Sequence, residues 1–598
     1  RVLFRSIRIS RVDLEEAMSE TDEQQKLYDI SMVIEDLRNE HTNVRVAAMR
    51  RLKEIALVLG PQKTRDELFN YLFELIDSDD EVLVVMAEQM GDFLPLVGGS
   101  EYTDYILDVL EKLCTMQEVT VREAATKSIL KLCDQLTPEE INEFVSATVI
   151  RMHNGEWYTS KVCVCSLLPI LYKTKLVTGD YDTVVEMYDE LCKDSVPMIR
   201  RAAISVIPEF IKVMDKDTCK LILVRSLYIL VRDEQDSVRI CGNASCVALA
   251  SVLSPEDRAT LILPLFLELA ADSSWRVRFT TVTQIDAICA LFPQELVEAK
   301  LLPEFLRLMQ DPELEVRTGA AGAVNSVCRW LPVETIREKM MRAVEELSND
   351  PSEHVRIALA GDFLNLCGML GEELTEKAIL PIYARLLVDT NTKVRLNVVS
   401  NFDKIKAVLS SHLLITNLLP TLIALKNDMD WRVRQNLLQY IPLLSKQLGK
   451  ELTYKELRPI LCDYTTDFVA AIRETATDVL RQLYEFYGDE FAEDTLFPTV
   501  SDLLHHEKYL LRVTGVHVLV TVGQKMGKEM VSTRVLGQLE EVQSDPIANV
   551  RLNIAKALGQ LKDQFTEDAK VKRVVPLLER YSKDPDRDVS FFAKAALG

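Results

Sequence analysis

The chain has 598 residues, 48% of them hydrophobic, and 92 acidic side chains against 70 basic ones give a formal net charge of -22. That balance argues against a nucleic-acid binder, whose phosphate contacts rely on Lys and Arg clusters, and favours solubility and the steering of basic partners. No 18-residue apolar run marks a membrane span, and the twelve cysteines lack CxxC or metal-ligand spacing, so they read as reduced, packed thiols of a cytoplasmic and nuclear protein.

Taken in chain order, Arg1 to Val12 is basic, has no acidic group and does not begin with Met. It reads as a disordered extension or foreign sequence, with a targeting presequence as the alternative. Residues 1–25 are therefore set apart from the fold. From there a single spacing takes over. An aliphatic position appears at Val44, Val82, Val121 and Thr159 with small slips, then settles into a strict phase of 39 residues. It runs through Ile199-Arg200, Val238-Arg239, Val277-Arg278, Val316-Arg317, Val355-Arg356, Val394-Arg395, Val433-Arg434, Ile472-Arg473, Leu511-Arg512 and Val550-Arg551. Val589 keeps the phase but is followed by Ser590. A fixed period of this length over about fifteen units predicts one stacked-repeat array across residues 26–598.

One unit, from Leu413 to Gly449, shows the pattern. Leu414, Leu418, Leu419, Leu422 and Leu425 form one apolar helical face. A polar turn, Asn427 to Asp430, leads to a second helix with Val433, Leu437, Tyr440, Ile441, Leu444 and Leu448 on one side. Gly449 follows, where a left-handed cap favours glycine; Gly60, Gly98, Gly371, Gly488 and Gly527 share this phase. Asp recurs five residues before the aliphatic position, from Asp194 to Asp584, with His506 as the exception. Such an Asp can accept backbone N–H groups in the turn. Proline marks the first helix at Pro264, Pro303, Pro381, Pro420, Pro459, Pro498 and Pro576, where it is expected to kink the helix. A kinked first helix, an Asp turn and an aliphatic-Arg second helix resemble the HEAT repeat, and predict an all-α solenoid of antiparallel helix pairs. Stacked units would set the Asp of one beside the Arg of a neighbour as a ladder of exposed pairs, each contributing about 0–1 kcal/mol. Asp311 with Arg356 is the pair expected to couple.

Chemistry is not written in the repeat. Carboxylate runs such as Asp79-Asp80-Glu81 fall in turns, no HxxxH pair occurs, and GxxxxGK(S/T), GxSxG and GxGxxG motifs are missing. The reading is of a protein that is not an enzyme and uses no metal or cofactor of its own. Large side chains in the turns need another explanation, because the core does not use them. Trp275 and Trp431 stand two residues before the aliphatic position, and Trp157 at the equivalent place. Pro197, Met198 and Ile547 add apolar groups in turns, whereas Trp330 lies late in a second helix and reads as core. Trp and Arg are enriched at binding hot spots. The turn residues fall into two groups, units four to seven and eleven to fourteen, which suggests two docking surfaces on one rod and a raised effective concentration of one partner for the other.

Several stretches carry a closer likeness: EDLRNEHTNVRVAAMRRLKEIALVLG (Glu35–Gly60), AEQMGDFLPLVGGSEY (Ala87–Tyr102), DEQDSVR (Asp233–Arg239), WRVRQNLLQYIPLLSKQLG (Trp431–Gly449) and DPIANVRLNIAKALGQ (Asp545–Gln560). On these the chain resembles the scaffolding A-type subunits of protein phosphatase 2A. The resemblance implies a curved horseshoe that holds a phosphatase catalytic subunit over about 413–598 and a regulatory B-type subunit over about 60–340, as a heterotrimer with no nucleic acid or membrane. It implies that Trp431, Arg432, Arg512 and Ile547 contact the catalytic subunit. Trp157, Pro197, Met198, Arg201, Trp275 and Arg276 would meet the regulatory subunit. The phosphatase metals would lie in the catalytic partner. Two positions depart from the family pattern: Asp430 stands where Lys is usual, and Ala470 where Tyr is usual. Both suggest a re-tuned or weaker grip on the enzyme. The rival readings are a HEAT-repeat nuclear transport receptor and a regulatory subunit of a related phosphatase.

Overall fold

The computed structural model describes residues 30–178 and 181–597; the expected extension over residues 1–25 lies outside them. The chain forms two compact units, one ending at Val316 and one beginning at Arg317. Each is built of helix pairs, and no strand occurs among the described residues. In the first unit, Leu263–Ala270 and Trp275–Cys289 make a representative pair. Leu263, Leu265, Phe266 and Leu269 are buried on one helix and Val277, Val282, Ile285 and Ile288 on the other. This is the spacing that gives each helix a single apolar face. In the second unit Leu536–Glu541 and Ala548–Gln560 repeat the arrangement, burying Leu536, Leu539, Val550, Ile554 and Leu558.

The first helix of a repeat is not simply kinked by proline. It opens with a five-residue π-helical turn such as Arg258–Ile262, in which the N–H of Leu263 donates to the carbonyl of Arg258, five residues back. These wide turns start at Thr64, Ile141, Cys219, Arg258 and Val297 in the first unit. In the second they start at Ile336, Thr375, Leu414, Thr453, Ala492, Val531 and Lys570, and from Ile141 onward all keep one 39-residue phase. Pro264 sits past its turn with only Leu263 between, where it gives up an N–H at a point the ladder is already disturbed. Yet Ile336–Met340 is equally wide with Arg342 in the proline phase. The wide turn belongs to the repeat, and proline fits into it.

The link from one pair to the next comes in two forms. Ser254 and Thr566 take extended backbone (φ -64° and -69°), and their hydroxyls accept the N–H of Asp257 and Ala569. Gly371, Gly449 and Gly488 reach the same place with φ of 75°, 77° and 71° and ψ near extended. That region is open essentially to glycine alone. The expected left-handed cap is found at Gly98, with φ 106° and ψ 9°; at these three it is replaced by the mirror-extended form, and Gly527 departs altogether, with φ -68° and ψ 151°. A Cβ at Gly449 or Gly527 would meet nothing within 4 Å, so backbone strain separates them. Gly449→Ala is expected to cost about 1–3 kcal/mol and Gly527→Ala to stay within about 0.5 kcal/mol, read from urea unfolding midpoints. Equal costs would remove the distinction.

The predicted charge ladder is present, with a different register and environment. In every rung but that of Arg473, the Arg reaches the Asp that lies 33 residues ahead. In the first unit Arg200 grips Asp233, Arg239 grips Asp272, and Arg278 grips Asp311 through Nε and Nη2 at 2.7 and 2.8 Å. In the second unit the rungs are Arg317 to Asp350, Arg356 to Asp389, Arg395 to Asp428, Arg434 to Asp467, Arg512 to Asp545 and Arg551 to Asp584. Asp311 therefore belongs with Arg278, and Arg356 with Asp389, which corrects the pair expected from sequence. The third guanidinium nitrogen turns back on its own repeat: Arg278 Nη1 donates to the carbonyls of Asp272 and Ser273 at 2.8 and 3.1 Å. Each Asp also accepts the N–H two residues on, as Asp272 does from Ser274 at 2.7 Å. Nor are the pairs exposed. Side-chain exposure is 10% for Arg278 and 1% for Asp311, so desolvated, bidentate geometry replaces the surface pairs first assumed. The hydrogen bond to Asp311 holds the Arg278 guanidinium above its ordinary pKa, despite burial. At Asp584 the Arg551 hydrogen bond holds the carboxyl below the usual carboxylate range.

Candidate partner-binding turns

Once the ladder Asp has capped its turn, the residues around it are left facing outward. In the second unit the side chain directly after Asp428 is Met429, 93% exposed, and that after Asp467 is Phe468, 84% exposed. Together with Lys426, Arg434, Ile460 and Tyr464 they line a pocket of about 330 Å³. The Arg434 guanidinium lies 5.2 Å from the Phe468 ring centre, a cation–π distance. Trp431 opens the helix Trp431–Leu452 and is half-buried, whereas Arg432 beside it is exposed. The Arg432 guanidinium stands 4.5 Å over the indole. Asp430 is the N-cap of this helix, accepting the N–H of Arg432 at 2.8 Å. The carboxylate that departs from the family pattern thus has a local structural use. Ala470 is exposed at the start of the helix Ala470–Tyr487.

Further along, Tyr509, Leu510 and Ile547 are exposed and line a second groove with Lys508, Arg512 and Pro546. Arg512 forms the wall of this groove rather than a free contact. Its Nε and Nη2 hold Asp545 at 2.6 and 3.0 Å, and Nη1 holds the carbonyls of His506 and Glu507. Only 13% of its side chain is exposed, so the structure makes it a ladder residue that borders the surface. Its neighbour Ile547 is bound to the same Asp545 by its backbone N–H, which leaves the side chain to face out.

In the first unit the candidates lie on separate turns. Trp157 is 55% exposed and Met198 is exposed, whereas Pro197 is half-buried as the first residue of the helix Pro197–Ser205; Arg201 is exposed. Trp275 is half-buried rather than exposed, with the Arg276 guanidinium 5.3 Å from its ring centre and 3.6 Å from Asp236. In the second unit Trp330, expected in the core, is half-buried. The first unit also has exposed Leu221 and Tyr228 on a first helix, beside Val224 and Leu261. Sequence reasoning missed these two, and it missed Met429, Phe468 and Leu510. For Met429 and Phe468 the signal existed: a large apolar residue immediately after the phased Asp.

Chemical machinery is sparse. Among the described residues no group of three His, Cys, Asp or Glu could hold a metal ion, and no helix is long and apolar enough to cross a membrane. All twelve cysteines are free and ten are buried. Burial pushes Cys133, Cys289 and Cys328 up to about 12, far from the thiolate that a nucleophile requires.

Comparison with known proteins shows what the chain is similar to. A model described as PPP2R1A-like HEAT repeat matches residues 294–371, a HEAT repeat model matches 262–292, and a PIK3R4-like middle-domain model matches 377–540. The chain is 38% identical over 239 residues to a probable serine/threonine-protein phosphatase PP2A regulatory subunit of Caenorhabditis elegans, covering 40% of each chain. It is 34% identical over 274 residues to the A-type regulatory subunit of protein phosphatase PP2A from Schizosaccharomyces pombe, covering 46% of each. With the beta isoform of the human 65 kDa A-type regulatory subunit of serine/threonine-protein phosphatase 2A it shares 36% over 197 residues, or 33% of each. The matched stretch spans less than half the length of these curated relatives. Among solved structures, Kap95p in complex with RanGDP has a TM-score of 0.58 at 13% identity, over 98% of this chain and 78% of that one. Kap121p has 0.52 at 14%, over 100% and 67%. At such identities the likeness is one of fold. The chain is an all-α HEAT-repeat protein, similar over part of its sequence to the A-type regulatory subunits of protein phosphatase 2A.

Proposed function

We propose that this chain is a non-catalytic scaffold. The turns of the second unit hold a serine/threonine phosphatase catalytic subunit, while those of the first unit hold a regulatory subunit, giving a heterotrimer. One observation carries the reading. Met429, Trp431, Phe468, Leu510 and Ile547 stand on turns capped internally by the phased Asp or, beside Leu510, by His506, so these side chains have no framework duty. Large apolar and aromatic groups of this kind act as interface anchors. The catalytic metals belong to the phosphatase partner. The free, buried cysteines suit the reducing cytoplasm and nucleus, where we place the protein. The test is reconstitution of the full chain with the catalytic subunit of protein phosphatase 2A and a B-type regulatory subunit, followed by size-exclusion chromatography with light scattering. A single 1:1:1 species is expected. Separate elution of the catalytic subunit, or capture of a small GTPase in its place, would reject the scaffold in favour of a transport receptor.

A further inference from the structure

The ladder of the second unit has one incomplete rung. Arg473 stands in the arginine phase, but the residue 33 ahead is His506 instead of Asp. His506 takes over one task of the missing carboxylate, since its Nδ1 accepts the Lys508 N–H at 3.0 Å. It does not take over the other. Arg473 Nη1 still holds the carbonyls of Asp467 and Phe468 at 2.8 and 3.3 Å, while Nε turns to the Thr514 hydroxyl at 3.2 Å. Among the described residues Nη2 has no hydrogen-bond acceptor, and no carboxylate lies within 4.0 Å of the guanidinium. The neighbouring carboxylates are committed: Asp467 to Arg434 and Asp545 to Arg512.

This half-buried guanidinium lies in a distinctive setting. Phe468, at 84% exposure, precedes it on the same turn, and Lys508, exposed and without an ion pair among the described residues, follows His506. Tyr509 and Leu510 extend the apolar surface. Two uncompensated cations beside an apolar patch, on a chain of net charge -22, fit a partner segment that pairs a carboxylate with an apolar side chain. We propose that an Asp or Glu of the docked phosphatase catalytic subunit completes this rung from outside, accepting from Arg473 Nη2 while Phe468 packs against its neighbour. The proposal rests on the scaffold reading above.

The rung can be closed from within. His506→Asp installs the residue that the other turns carry, and His506→Asn keeps a turn-capping oxygen without the charge. Titration calorimetry of the full-length chains with the purified phosphatase catalytic subunit is expected to show at least about tenfold weaker binding for His506→Asp. His506→Asn should stay within about twofold of the parent, and His506→Asp should also melt at a higher temperature, reporting that the internal rung has formed. An unchanged affinity in His506→Asp, with its melting point raised, would overturn the rung and leave the scaffold standing. Equal losses in both variants would likewise overturn it. A parent chain that fails to bind the catalytic subunit would overturn both readings.

Discussion

Replacing Arg278 by alanine is expected to destabilise the first unit by about 3–5 kcal/mol, the cost of leaving a buried charge without its partner. The substitution removes both guanidinium bonds to Asp311, whose side chain is only 1% exposed, and both bonds to the carbonyls of Asp272 and Ser273. A surface pair gives a very different number. Arg51 and Glu54 are each about half exposed, and such pairs contribute about 0–1 kcal/mol. The measurement is the urea unfolding curve of the full chain, with its slope compared because repeat arrays can lose two-state behaviour. A loss below about 1 kcal/mol would return the ladder to the class of surface pairs. A double-mutant cycle on Arg278→Met and Asp311→Asn should show coupling, since Asn keeps the oxygen that caps Glu313. The cycle on Asp311 and Arg356 should show none, because each has another partner.

Trp431→Ala should lower affinity for the phosphatase catalytic subunit by at least about 30-fold, or about 2 kcal/mol, as truncation of an anchoring tryptophan typically does. The indole is held in place before any partner arrives. Asp430 caps its helix, and Arg432 lies over its ring. Pre-set side chains lose less conformational entropy on binding. The exposed neighbours Met429 and Phe468 enlarge the apolar surface around it. Folding should be largely unaffected, since the buried residues of that helix, Val433, Leu437, Ile441 and Leu444, are retained. Titration calorimetry with an unchanged melting temperature is the supporting outcome, and unchanged affinity would sink the assignment.

The repeat phase made much of this legible. Asp, Arg, proline and the apolar faces are fixed by position within the unit, so spacing alone located the helices and turns. What it could not supply was the offset between repeats. Arg278 and Asp311 meet only through stacking, so the sequence offered the right residue types with the wrong partners. The π-helical turns were invisible because residues such as Arg258 to Ile262 are ordinary helix formers, and the extra width lies in the hydrogen-bond pattern. Gly488 and Gly527 share a phase but differ in the sign of φ, a choice glycine leaves open. Among candidate contacts, Arg512 differs from its expected role for the reason that placed it in phase: it serves the ladder first. Phe468 and Met429 lack the residue type that marks Trp431 as an anchor, yet exposure on the turn is set by position and not by residue type.

The ladder also governs how each unit can flex. Every complete rung ties an Arg to its own turn and to the next, so one edge of the stack is laced by repeating, directional bonds. Away from that edge, neighbouring repeats meet through apolar side chains and single hydrogen bonds, such as Ser245 to the Ile204 carbonyl and Gln538 to the Phe497 carbonyl. Bending that parts the laced edge must stretch bidentate bonds, whereas bending that fans out the opposite edge does not. Each unit is therefore an anisotropic spring, compliant about one axis and stiff about the other. In the second unit the laces are slackest at Arg473, where thermal bending should concentrate.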